Sequence, residues 1–238
     1  MRGVYYAAYG KQARDCLVNI AIPALKKHMP DIPIAVASTS PLGLGTKFIN
    51  LPDTDIGARL AKLKAYEATP AEWDHVIYMD ADTELRSDIS FLFKILEDGW
   101  DMAICRHWDR HNFRRFRNPD NLAEYNTSVA ELRTDSAMAY QGGMFCFRRL
   151  KRVERLFSAW IEEWGRWAKR DQAALVRALH RNPVKLYLLP PCWNQRKNRD
   201  NTVIYHHMHK ARRFPHKYFK DIERLDSKEA WKGIEKKP

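Results

Sequence analysis

Residues Val76 to Leu85 read VIYMDADTEL, four apolar side chains running directly into two carboxylates with one alanine between them. An apolar run without alternation belongs to a strand covered on both faces, because a strand with one wet face would alternate apolar and polar residues. A doubly covered strand needs helices above and below it, which points to a layered α/β fold around a mostly parallel central sheet. In such folds ligands bind beyond the carboxyl ends of the strands, and Asp80 and Asp82 stand at such an end.

The rest of the chain shows the same alternation. GVYYAAYG reads as a first strand closed by Gly10, and a helix is expected over Lys11 to His28 with a kink at Pro23. IPIAVAS gives a second strand, PLGLGTK a turn-rich loop, and Ala58 to Ala68 a helix that ends before Pro70. HVIYMDAD, ISFLFKIL and DMAIC then read strand, helix, strand, and GGMFCFRR a further strand. Asn112 to Ser136, polar and irregular, is expected to be a mobile loop over a site. From Val153, apolar residues recur at Leu156, Phe157, Trp160, Ile161 and Trp164, the spacing of an amphipathic helix whose tryptophans, with Trp167, go to the core. Asp171 to Leu179 reads as another helix, and VKLYLLPP and TVIYHH as the last strands.

With 238 residues, 45% of them hydrophobic, the chain supports one sizeable core, so a single domain over residues 1–212 with a basic tail at 213–238 is expected. The four cysteines, Cys16, Cys105, Cys146 and Cys192, are scattered without a CxxC pair, and no apolar run is long enough for a membrane helix. Reduced thiols in a cytoplasmic protein are therefore expected, rather than a disulfide framework or membrane insertion.

Charge is the one abnormal bulk property: 41 Lys and Arg against 29 Asp and Glu give a net +12. The excess clusters in Arg106 to Arg117, with five arginines and one acid, and in Arg148 to Arg155, with five bases and one acid. A third stretch, Arg196 to Lys220, has eight bases and Asp200 alone. Basic surfaces attract polyanions, although they also serve simply to keep a protein in solution.

An extended backbone through Asp80 and Asp82 would aim both carboxylates the same way, and two anions so close are costly unless a cation shares them. Hard oxygen ligands suit Mg²⁺ or Mn²⁺, and two carboxylates leave coordination positions for the oxygens of a phosphate. The bland alternative is a pair of aspartates capping the following turn.

VIYMDADTEL resembles the DxD motif of the GT-A glycosyltransferases, the nucleotide-diphospho-sugar transferases, and in particular the branch of glycogenin and the bacterial galactosyltransferases. Other segments resemble that family in the same order. VYYAAYGKQ is similar to its nucleoside-cradling first strand, with Tyr6, Ala8 and Tyr9; GARLAKLKAYEATP is similar to the basic helix before the DxD strand, with Arg59, Lys62 and Tyr66 on one face. YQGGMFCFRR is similar to an aromatic-Asn-small-Gly segment, with Gln141 in place of Asn, and Asp171 and Gln172 match an Asp-Gln pair. Trp193 and Asn194 match a Trp-Asn pair, and VIYHHMHK supplies a late histidine followed by Lys210. The family's His-x-x-Gly-x-x-Lys is shortened here and lacks its Gly, which leaves His206, His207 and His209 open as the ligand.

The resemblance implies a Rossmann-like GT-A domain, a metal-dependent hexosyltransferase that takes a sugar, UDP-linked by expectation, to an acceptor hydroxyl with retention of configuration. It implies Asp80, Asp82 and His206 as metal ligands for Mn²⁺ or Mg²⁺. Tyr6, Ala8, Tyr9, Arg59, Lys62, Ala81, Trp193, Asn194 and Lys210 would face the donor, with Gly142 and Gly143 letting the backbone approach its sugar. Gln141, Asp171 and Gln172 would carry the chemistry. From the residues alone, Asp171 also reads as a helix N-cap, Gly142 and Gly143 as a strand start, and the histidines as a separate zinc site lacking its usual companions. The acceptor is expected to be a glycan or, given the basic stretches with interleaved Trp108, Phe113, Phe116, Tyr218 and Phe219, a hydroxylated base in DNA. A nucleotidyltransferase would need a Gly-rich nucleotide loop where YGKQAR has one Gly, and a pure nucleic-acid-binding protein leaves the carboxylate pair unexplained.

Overall fold

The computed structural model describes residues 1–50, 57–107, 112–167 and 170–207. Strands β1 (Arg2–Ala7), β2 (Ile34–Ala37), β3 (Lys47–Ile49), β4 (His75–Asp80), β6 (Met102–Arg106), β7 (Tyr140–Arg148) and β8 (Leu186–Leu189) form one seven-stranded sheet in the order β3-β2-β1-β4-β7-β6-β8. Pairing is parallel from β3 through β4 and between β6 and β8. β7 alone runs antiparallel to its neighbours β4 and β6. Since β7 reverses between them, β6 and β8 point the same way as β4, and the chain leaves all three strands at the Asp80 end.

The expectation of strands covered on both faces holds. On one face, Tyr5, Tyr78, Phe145 and Phe147 pack against α3 (Gly57–Leu63), α4 (Ala65–Ala68), α7 (Lys151–Trp167) and α8 (Asp171–Arg181), with Trp160 and Trp164 fully buried. On the other, Val4, Ile77, Met79 and Met144 pack against α1 (Gly10–Cys16), α2 (Ile22–His28) and α5 (Phe91–Glu97). The four cysteines are free, three of them buried. Among the described residues no helix is long and apolar enough to cross a membrane.

Several elements differ from the sequence expectation. The helix expected over Lys11 to His28 is interrupted by a π-helical turn, Leu17–Ala21, where the Ile22 N–H bonds five residues back to the Leu17 carbonyl. Pro23, which has no N–H, thereby falls in the first turn of α2, where none is needed. The helix expected over Ala58 to Ala68 breaks at Lys64 into α3 and α4. TVIYHH yields β9 (Ile204–His206), which lies outside the main sheet and pairs with β5 (Thr83–Leu85) in a small antiparallel sheet.

The stretch from Asn112 to Ser136 is not a loop. It holds two 3₁₀ turns, Phe113–Phe116 and Pro119–Asn121, and the helix α6 (Leu122–Leu132). Phe113, Phe116, Tyr125 and Leu132 form a third apolar cluster with Ala173 and Val176 of α8. Its polarity misleads because the buried faces of α6 carry Glu124 and Ser128, both hydrogen-bonded to the fully buried Arg177 of α8 at 3.0 and 2.9 Å. A buried polar residue with a partner is as compatible with a core as an apolar one.

The basic stretch Arg148 to Arg155 lies at the far end of the sheet, since Arg148 pairs with His75, the first residue of β4. Arg149 donates to the carbonyls of Thr69, Pro70 and Trp73, and Arg152 grips both oxygens of Asp101 at 2.5 Å. These cations hold loops together. The expected tail, 213–238, lies outside the described residues, as do Trp108, His209, Lys210, Tyr218 and Phe219.

Candidate functional site

β4 ends at Asp80, and Ala81 and Asp82 form a turn, so the extended geometry expected through both aspartates does not hold. They converge nonetheless, because the turn feeds β5, and β5 pairs with β9: Thr83 faces His206. That register brings one ligand atom each of Asp80, Asp82 and His206 within 4.8 Å of one another. A cation about 2.0–2.3 Å from each ligand requires separations of this order. His206 Nε2 lies 3.0 Å from Asp82 Oδ1 and 3.8 Å from Asp80 Oδ2.

The surroundings assign each atom a direction. Asp80 Oδ1 accepts a 2.6 Å hydrogen bond from the Tyr78 hydroxyl and pairs with Lys62 Nζ at 3.1 Å, leaving Oδ2 turned toward His206. The fully buried Asn194 places its Oδ1 3.1 Å from His206 Nδ1. An Nδ1–H donated to Asn194 leaves the Nε2 lone pair facing the carboxylates, the tautomer a metal ligand needs. The donor set of two carboxylates and one imidazole fits Mn²⁺ or Mg²⁺.

The alternatives left open among the histidines separate here. His207 turns away to pair with Glu84, and among the described residues His206 alone joins the aspartates; His209 lies outside them. Burial acts to lower the His206 pKa, but Asp82 and then Asp80 outweigh it and hold the value above its usual range. Burial acts to raise Asp82, yet His206 keeps it below the ordinary carboxylate range.

Beside this trio sits a second set. Lys62 Nζ bridges Asp80 and Asp171, 3.4 Å from the Asp171 Oδ2, and Arg59 stands 3.9 Å from its Oδ1. Burial favours the neutral form of Asp171, but Lys62 and Arg59 prevail and its pKa is lowered. Lys62 is opposed by burial too, and Asp80 and Asp171 raise its pKa despite Arg59. Asp171 is the first residue of α8, and the cap position is Arg170.

Gly142 and Gly143 serve the site's own side chains. A Cβ on Gly143 would lie 2.7 Å from the His206 ring and 2.8 Å from the Asn194 amide, and one on Gly142 would lie 3.0 Å from Asp171. Their bare backbone makes room for the side chains of the site itself. Gln172 packs beside Gly142, and Gln141 is almost fully buried with its amide donating to the Arg106 carbonyl. Tyr6 and Ala8 are completely buried, Ala81 and Tyr9 nearly so, and Trp193 is half-buried beside Phe91. Tyr78, through its bond to Asp80, is a residue beside the site that the sequence reading misses. Tyr78 is legible in principle, two residues before Asp80 on one strand and so on the same face.

No protein-family model matches the chain, and no curated protein matches it in sequence. Its likeness lies in solved structures. The galactosyltransferase LgtC, in complex with donor and acceptor sugar analogs, superposes with a TM-score of 0.59 at 15% identity, over 94% of this chain and 95% of that one. Mouse xyloside xylosyltransferase 1, in its apo form, gives 0.56 at 12% identity, over 87% of this chain and 97% of its own. An active-site mutant of LgtC gives 0.56 at 16% identity, over 87% and 86%. The chain has the GT-A fold of these glycosyltransferases.

Proposed function

We propose that the protein is a metal-dependent glycosyltransferase that moves a sugar from a UDP-sugar to a glycan hydroxyl with retention of configuration. The observation that carries this reading is the convergence of Asp80, Asp82 and His206 at the open end of β4, in a fold used by a galactosyltransferase and a xylosyltransferase. Asp80 Oδ2, Asp82 and His206 Nε2 would hold Mn²⁺ or Mg²⁺, which when bound stabilises the charge that develops on a departing diphosphate. Asn194 fixes the His206 ring, and Tyr78 and Lys62 fix Asp80. Arg59 and Lys62 add positive charge beside the site, and Lys210, placed soon after the metal-binding histidine in the chain, has the same role in this proposal. Tyr6, Ala8 and Tyr9 would border the nucleoside through their segment of backbone, and Gln172 would face the sugar.

Retention is favoured by the state of Asp171. An inverting enzyme needs a carboxylate ready to accept the proton of the acceptor hydroxyl, and a base works best with a pKa near the working pH. Asp171 is tied to Lys62 and Arg59 and its pKa is lowered, a poor base. A glycan acceptor is favoured over duplex DNA because the Arg148 to Arg155 stretch is committed to loops at the far end of the sheet, away from Asp80. A continuous basic track along a phosphate backbone would have to include it or do without it.

The test is binding and slow hydrolysis of UDP-sugars with Mn²⁺, Mg²⁺ or neither. Metal-dependent turnover that falls about a hundredfold or more in Asp82→Asn is the expected result. Failure of any nucleotide sugar to bind with any divalent metal would overturn the reading.

A further inference from the structure

We propose that Arg115, Arg170 and Arg196 form a seat for a small anionic group, a phosphate or carboxylate carried by the acceptor. Its assignment to the acceptor rests on the function proposed above; the anion seat itself does not.

The fold assembles the three from separate segments. Arg115 lies between Phe113 and Phe116, whose rings pack with Ala173 and Val176 of α8, and Arg170 is the residue from which α8 starts. That packing carries Arg115 to the first turn of α8. Arg196 comes two residues after the Asn194 that orients His206, while Arg170 directly precedes the Asp171 that pairs with Lys62. Two of the three arginines thus stand within two residues of side chains that border the Asp80, Asp82 and His206 cluster.

The chemistry is that of an unfinished ion site. The Arg115 guanidinium lies 5.2 Å from the centre of the Phe116 ring, and its Nη1 is enclosed with no hydrogen-bond partner among the described residues. Among the described residues neither Arg115 nor Arg170 pairs with a carboxylate. Burial, followed by the like charges of Arg170 and Arg196, pushes the Arg115 pKa down to about 10. A half-buried cation that is repelled by its neighbours gains from a bound anion, and guanidinium groups hold phosphate or carboxylate oxygens in paired hydrogen bonds. The arrangement mirrors the two aspartates of the metal site with the sign reversed.

Position separates this seat from the donor. β6 and β8 run parallel to β4, so the segments after them, bearing Arg115 and Arg196, emerge at the Asp80 end of the sheet. They lie on the β7, β6 and β8 side of β4. The segment Tyr6 to Tyr9, which the proposal gives to the nucleoside, ends β1 on the other side of β4.

The test uses glucose 6-phosphate, glucuronate and methyl glucoside as probes, titrated into the full chain without metal or nucleotide and read by ligand-detected NMR and thermal shift. The phosphorylated or carboxylated sugar, or both, should bind and the neutral one should not, the two charged arms telling phosphate from carboxylate. Arg170→Gln, at an exposed position, and Arg115→Gln should each weaken that binding about tenfold. Without any probe Arg115→Gln should lose no more than about 1 kcal/mol of stability, since it removes a repelled charge that the fold does not pair. Equal binding of the neutral sugar, or unchanged affinity in both variants, would overturn the seat. Displacement of the charged sugar by UDP with Mn²⁺ would overturn its assignment to the acceptor. Binding of duplex DNA that depends on Arg115 and Arg170, with no binding of the charged sugars, would overturn the small-anion reading. Because the probes need neither metal nor nucleotide, their failure is distinct from a failure of metal-dependent UDP-sugar binding.

Discussion

The molecule gathers two groups of charges, one fully buried and one partly open to water, and they are built to opposite ends. Between α6, α7 and α8, Glu163 is fully buried and receives Arg177 and Arg166 on one oxygen and Arg181 on the other, at 2.8, 2.9 and 2.5 Å. Arg177 in turn donates to Glu124, to Ser128 and to the Glu163 carbonyl. Donors and acceptors there are matched within the chain. At the end of β4, Asp80, Asp82 and Asp171 face Lys62, His206 and, at 3.9 Å, Arg59, and two of the acids converge on one imidazole. A closed network of this kind holds helices together, whereas one left short of positive charge is suited to a cation that comes and goes.

The largest effect should come from breaking the closed network. Arg177→Ala removes the buried guanidinium that Glu163, Glu124 and Ser128 share and should cost about 3–5 kcal/mol in urea unfolding, the range for removing one partner of a buried pair. A loss under about 1 kcal/mol would mean that the network is not closed. The same network should set the response to acid. Burial alone would raise the pKa of Glu163, but Arg177 and Arg181 hold it below its ordinary value of about 4.5. A carboxylate with a depressed folded-state pKa contributes stability above its unfolded pKa and loses it as pH falls through the folded one. The stability gap between wild type and Glu163→Gln should therefore be full at neutral pH and narrow below about pH 4.5. A gap as wide at pH 3 as at pH 7 would contradict the pairing.

The next effect tests how tightly the open cluster is built. Gly143→Ala puts a methyl 2.7 Å from the His206 ring and 2.8 Å from Asn194, both held by neighbours. Overpacking of this kind costs about 1–3 kcal/mol. It also tilts the imidazole, so Mn²⁺ affinity should drop about 10–100-fold, as when the groups that orient a ligand are lost. Unchanged Mn²⁺ affinity in a folded Gly143→Ala protein would show that His206 is not held by this contact.

The contrast between the two clusters also marks how far the sequence can be read. Apolar runs such as Val76 to Met79 and the stripe from Val153 to Trp164 declare the buried strands and α7, because burial by apolar residues leaves a periodic trace. Asp80 and His206 are legible because each closes an apolar strand, where side chains leave the core, and Asp82 because it follows in the turn just beyond. α6 is not legible, since its inward face carries Glu124 and Ser128 and only the distant Arg177 makes them core residues. The π turn before Pro23 and the pairing of β5 with β9 are hidden for a related reason: three-residue strands and local changes of bonding are fixed by tertiary packing. Gly143 stands out in the sequence for its missing Cβ, but the groups that fill the space, His206 and Asn194, come from segments some fifty residues away or more.

The smallest effect on stability should be that of Asp82→Asn without metal. The substitution removes the Asp82 pairing with His206 at 3.0 Å, which is a loss, and the repulsion between Asp82 and Asp80, which is a gain. These oppose each other in a site open to water, so the variant should unfold within about 1 kcal/mol of wild type. With Mn²⁺ present the two should diverge. Metal bound only by the folded state raises stability by about 2.7 kcal/mol at a hundred times its dissociation constant, and Asp82→Asn should lose most of that gain. The same carboxylate would then be nearly silent in the fold and decisive in binding, whereas Glu163, with no metal to hold, should respond to Mn²⁺ not at all. A Mn²⁺-induced rise in melting temperature that persists in Asp82→Asn would remove the difference between the two clusters and the metal site with it.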